Sequence, residues 1–100
     1  MNTTIIEADG KYTVTLVGEL HTAHALEFEE TMKPLHDVTE KEIIIECTEL
    51  EYIASSGLRI LLGLLKNAKS RNNKVVLKNL NDEIKDVFKM TGFIDMFDIE

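Results

Sequence analysis

The sequence predicts a small α/β domain whose central sheet is mixed but mostly parallel, opens with a β-hairpin and carries helices packed on it. Three observations predict this. Ile43-Ile44-Ile45 is a continuous β-branched run and Val75-Val76-Leu77 repeats its apolar pattern, both of the kind that form buried strands. Stretches with helical periodicity separate these runs from each other and from their neighbours. Asp9-Gly10 stands between two apolar runs, a strong hairpin signal. The 100 residues fit one domain, 1–100, with one modest core.

The first strand is read from the run Thr4 to Ala8, which ends at Asp9-Gly10. Tyr12, Val14 and Leu16 alternate with Thr13, Thr15 and Val17 until Gly18, which predicts a second, antiparallel strand. Thr22 is a suitable cap for the helix that follows. Ala25, Phe28, Met32 and Leu35 share one helical face, and Pro34 should end or kink that helix. The run at 43–45 predicts a central strand with helices above and below, followed by a polar loop over residues 47–53. A second helix is expected from near Ser56 to about Arg71, stopped by Asn72-Asn73. After the strand at 75–77, Asn81 caps a third helix marked by Ile84, Val87 and Phe88 and ended by Gly92. Phe97 to Ile99 reads as a last short strand. The order is β-β-α-β-α-β-α-β, and crossover helices make the strands after the hairpin parallel.

Composition excludes several function classes. With 44% hydrophobic and 29% charged residues, the chain reads as an ordinary globular protein. No apolar run approaches the ~20 residues that span a bilayer. The N-terminus shows no basic segment followed by an apolar one, so no secretory signal is read there. Cys47 is the single cysteine, which rules out an internal disulfide and fits a cytoplasmic setting. A net charge of −7 argues against direct nucleic-acid binding. Lys66, Lys69, Arg71, Lys74 and Lys78 read as a solvated helix end and the loop after it.

The segment Ile53-Ala54-Ser55-Ser56-Gly57-Leu58 stands out as the functional centre. It joins a buried strand to a strongly apolar helix at the carboxyl edge of a parallel sheet, where such folds carry their sites. Serine suits a helix cap, and glycine allows close backbone approach. A helix N-terminus also tolerates an added phosphate, which brings about −1.5 to −2 charges. Leu58, Leu61, Leu62 and Leu65 share the face expected to pack on the sheet. Ile60 and Leu64 lie off it, beside Gly63 and Asn67, and could dock a partner or pack under a neighbouring helix. On pattern alone, a plain helix cap is the simpler account of the two serines.

These residues also carry a family resemblance. Val17-Gly18-Glu19-Leu20, Ile43-Ile44-Ile45, the run Ile53-Ala54-Ser55-Ser56-Gly57-Leu58-Arg59-Ile60-Leu61-Leu62 and Met90-Thr91-Gly92-Phe93 resemble the STAS domain of bacterial anti-sigma factor antagonists. The resemblance covers almost the whole chain. It implies partner switching. The unphosphorylated domain would bind an anti-sigma factor that is also a serine kinase and so free a sigma factor. Phosphorylation of Ser56, or Ser55 as the fallback acceptor, would end the complex, and a serine phosphatase would reset it. Ser55, Gly57, Arg59, Ile60, Gly63 and Leu64 form the implied contact set. No cofactor or metal is implied. Ala54 stands where the family often has an acidic residue, and His21 where it often has an aspartate.

Two other classes compete. His21 and His24 at i and i+3 suggest a metal pair, and Cys47 a thiol nucleophile, but no third ligand or activating base is visible. A scaffold or ligand-sensing module in a signalling assembly, without phosphorylation, is the second. Neither common glycine-rich phosphate loop is present.

Overall fold

The computed structural model describes residues 1–100. Strands β1 (Asn2–Ala8) and β2 (Lys11–Leu20) form the opening hairpin. Asp9 and Gly10 both take positive φ, 53° and 75°, as a two-residue turn of this kind requires. A 3₁₀ turn (Thr22–His24) leads into α1 (Ala25–Met32), and a second 3₁₀ turn (Lys33–His36) holds Pro34 just beyond its end. Then come β3 (Glu42–Ile53), α2 (Ser55–Ser70), β4 (Lys74–Lys78), α3 (Asp82–Met90), a 3₁₀ turn (Ile94–Met96) and β5 (Asp98–Ile99). The five strands lie in the order β1-β2-β3-β4-β5. Only β1 and β2 are antiparallel.

That strictly sequential order decides where the helices go. Three right-handed crossovers stepping in one direction place their helices on the same face of the sheet. The strand residues confirm a one-sided core. Val14, Ile43, Ile45, Val75 and Leu77 join Phe28, Met32, Leu61, Leu64, Ile84 and Phe88 in one buried cluster. In-register neighbours Thr13 and Ile44 point the other way and are only half-buried, and Val76, next in that row, is buried but lies outside the cluster the helices cover. Helices above and below β3, as the β-branched run suggested, are therefore replaced by helices on one side.

Two further expectations change. β3 runs six residues beyond Cys47 instead of giving way to a loop. Its buried positions there are Cys47, Leu50 and Ile53, three apart, with Thr48, Glu49, Glu51 and Tyr52 exposed. The cause is irregular pairing with β2, which shifts register between Thr15 and Val17 and again between Gly18 and Glu19. Thr22 makes no cap bond; the chain enters α1 through a 3₁₀ turn that uses backbone partners instead. By contrast, Asn81 caps α3 as read, its side chain accepting from the Ile84 N–H at 2.8 Å.

Candidate functional site

The serine segment sits where the carboxyl ends of β2 and β3 meet the start of α2. Glu19 pairs with Tyr52 and Leu20 with Ile53 in the last rungs of the parallel ladder. One residue on, the Ala54 N–H donates to the Leu20 carbonyl at 2.8 Å. Ala54 thus remains tied to the sheet while its own carbonyl accepts the first helical bond, from Leu58 N–H at 3.1 Å. The N-cap of α2 is Ala54, which has no side-chain acceptor. Neither serine is the cap that the sequence suggested: the helix start is set by where the chain leaves β3. Ser55, Ser56 and Gly57 occupy the first turn, where backbone N–H groups have no intrahelical acceptor.

Gly57 is fixed by packing rather than by an unusual φ. A Cβ at this position would fall 2.6 Å from Leu20 Cδ2, 2.9 Å from Leu20 Cγ and 3.1 Å from Ile53 Cγ1. Leu20 is completely buried, so the first turn of α2 lies against the sheet through this glycine. Gly57 therefore faces inward and does not belong to a contact surface. The two serines consequently turn outward: Ser55 is exposed and Ser56 half-buried. The Ser56 hydroxyl donates to Thr22 Oγ1 at 3.4 Å, a long bond at the edge of useful geometry. That bond joins α2 to the turn before α1.

Ser56 opens on a depression of about 400 Å³ between α1 and α2, bordered by Thr22, Leu26, Glu29, Arg59 and Ile60. Leu26 is 72% exposed at its rim. A second depression of about 500 Å³ continues the groove from Arg59, Ile60 and Gly63 towards Lys33, His36 and Asp37. Ser56, Arg59, Ile60 and Gly63 are therefore brought together on one accessible groove. Leu64 is not: it is completely buried in the core, and Leu62 is the partly exposed residue instead. The buried stripe of α2 is Gly57, Leu58, Leu61, Leu64, Leu65 and Ala68. The contact set loses Leu64 for that reason.

Thr22, Leu26 and Glu29 border the same groove but were not singled out from sequence. The signal was weak: one threonine at a helix entry and one exposed leucine on a polar face. His21, the departure from the family pattern, is exposed. Its Nε2 lies 3.2 Å from Glu19 Oε2, and its ring centroid is 5.0 Å from that of Tyr52.

Burial, then the charge of Glu46, pushes the Cys47 thiol up to about 12, so it stays protonated at neutral pH. Its thiol donates weakly to the Ile45 carbonyl, with sulfur 3.5 Å from the oxygen. The His21 and His24 rings lie 6.0 Å apart, and no group of three or more His, Cys, Asp or Glu side chains is placed to hold a metal ion. No helix is long and apolar enough to cross a membrane.

A one-sided, sequential five-stranded α/β sheet, with a serine-rich helix start at its carboxyl edge, is the arrangement to be compared with known domains. The STAS domain family model matches residues 2–100, and the chain belongs to that family. It is 28% identical over 99 residues to a Bordetella bronchiseptica protein designated anti-sigma factor antagonist BtrV, across 99% of this chain and 85% of that one. It is 26% identical over 91 residues to the anti-sigma-B factor antagonist of Staphylococcus aureus, across 91% and 84% respectively. Among solved structures, a Thermotoga maritima protein described as an anti-sigma factor antagonist superposes with a TM-score of 0.87 at 20% identity, covering 97% of this chain and 84% of that one. The anti-sigma factor antagonist SpoIIAA in its unphosphorylated form gives 0.76 at 17% identity, covering 99% and 87%. At these identities the solved structures speak for the fold.

Proposed function

We propose that this domain is an anti-sigma factor antagonist that works in the cytoplasm by partner switching, with Ser56 as its phosphorylated residue. The observation that carries the reading is the placement of Ser56. It stands in the first, uncapped turn of α2, with its hydroxyl open to the α1–α2 groove. The designations of the two relatives support the partner class. SpoIIAA, of like fold, has been solved in a phosphorylated as well as an unphosphorylated form.

In this reading the unmodified groove binds an anti-sigma factor with serine kinase activity, and the sigma factor is released. The kinase moves the γ-phosphoryl of a nucleoside triphosphate onto Ser56 Oγ. A new O–P bond forms, the bond to the bridging oxygen breaks, the nucleoside diphosphate departs and the hydroxyl proton is lost to a base. The dianionic group then stands in the docking groove and the partner dissociates. Hydrolysis by a serine phosphatase returns the hydroxyl and releases inorganic phosphate. Free N–H groups in the first turn of α2 make the added charge compatible with the folded domain.

Pull-downs of the cognate kinase with Ser56→Ala and Ser56→Asp test this, together with mass spectrometry after incubation with kinase and nucleotide. The reading expects Ser56→Ala to bind and to resist modification, Ser56→Asp to bind weakly, and phosphate on Ser56 of the unsubstituted protein. Equal binding by both variants with no phosphate on either serine overturns it. Phosphate on Ser55 alone moves the acceptor to the fallback residue and overturns the assignment to Ser56.

A further inference from the structure

We infer that Arg59 is the internal receptor for a phosphoryl group on Ser56, an inference that rests on the proposed phosphorylation of that serine. Arg59 lies three residues after Ser56, so the two are neighbours on the helix surface with Cβ atoms roughly 5–6 Å apart. Long helical side chains lean back over the turn that precedes them, and for Arg59 that turn carries the serines. Arg59 and Ser56 line the same depression; Ser55 does not. Arg59 is exposed and takes no part in any of the four ion pairs or in any side-chain hydrogen bond. Its guanidinium is thus uncommitted while Ser56 carries a hydroxyl. Glu29, facing it from α1, is the only other charged side chain on that depression.

A phosphate on Ser56 changes this balance. It brings three acceptor oxygens within reach of a guanidinium that matches them bidentately. The group is held from the Arg59 side and pushed from the Glu29 side, so it sits over the head of α2. The same movement takes the depression's only cation away from any approaching partner. Ser56 phosphorylation then acts twice on the groove, adding an anion and cancelling a cation.

The test reads the contact directly. Phosphoserine is installed at position 56 of the full chain by genetic code expansion, in the wild-type and Arg59→Gln backgrounds. The second ionisation of the phosphate is followed by ³¹P NMR around its ordinary midpoint of about 6. A guanidinium in contact favours the dianion, so the midpoint in wild type is expected about 0.5 pH unit below that in Arg59→Gln at low salt. The gap should narrow as salt screens the pair. His21 and His24 flank Thr22 in both proteins, so the difference between the two isolates Arg59. Arg59→Lys, which keeps the charge, should recover part of the shift. Identical midpoints in wild type and Arg59→Gln overturn the inference. Because the phosphate is installed rather than enzymatic, this outcome is distinct from failure of a kinase to use Ser56.

Discussion

Substituting Gly57 by alanine tests how the site is held. The added Cβ would fall 2.6 Å and 2.9 Å from Leu20 Cδ2 and Cγ, and 3.1 Å from Ile53 Cγ1. The tip of a flexible leucine could swing aside, but Leu20 is completely buried and Cγ is not its tip. Over-packing of this kind costs about 1–3 kcal/mol. Alanine also gains up to about 1 kcal/mol of helix propensity over glycine, and less in a first turn. The net expectation is a loss of about 1–2 kcal/mol. For a chain of this size that lowers Tm by about 5–15 °C. Urea unfolding followed by far-UV circular dichroism measures it. A companion Leu20→Val change makes room, so the two substitutions should couple by at least about 0.5 kcal/mol in a double-mutant cycle. An unchanged or raised urea midpoint for Gly57→Ala would refute the claim that close packing onto Leu20 sets the pose of the serines.

Gly63 provides the opposite case. It is exposed within α2, and a Cβ there meets nothing within 4 Å. Gly63→Ala should raise stability by about 0.4–1 kcal/mol in the same urea assay, and a loss would contradict the open groove wall. Glu46 gives a pH dependence. Burial raises its carboxyl, but hydrogen bonds from Asn79 Nδ2 at 3.0 Å, Thr48 Oγ1 at 2.8 Å and the Thr48 N–H outweigh it, and the net shift is downward. A depressed folded-state value means that the unfolded chain binds the proton more readily. Its contribution is present above the ordinary carboxylate range and is lost as pH falls through the folded-state value. Urea midpoints from neutral to acid pH should therefore fall less steeply for Glu46→Gln than for wild type; parallel curves would contradict the assignment.

The parts of the fold with strong local chemistry were legible in the sequence. Asp9-Gly10 specified the hairpin, Asn81 the start of α3, and the two short apolar runs at 43–45 and 75–77 the inner strands. The second half of β3 was not legible, because irregular pairing with β2 buries every third residue and abolishes alternation. The coverage of the sheet was misread because a β-branched run marks a central strand without showing which face the crossovers take; strand order decides that. On α2, the buried stripe begins with Gly57 and includes Ala68. Residues so small carry little hydropathy, which drew the inferred face towards Leu62 and left Leu64 outside it. The local setting of the serine segment was not legible: Ser56 meets Thr22, 34 positions away, and that contact has no local signature.

The most direct measurement is the affinity of the cognate anti-sigma kinase for the domain, by calorimetric titration, with Ser56 unmodified and with phosphoserine installed at that position. An anion placed in the proposed docking groove should weaken binding at least about tenfold, or about 1.4 kcal/mol. Equal affinities for the two forms would contradict the switch.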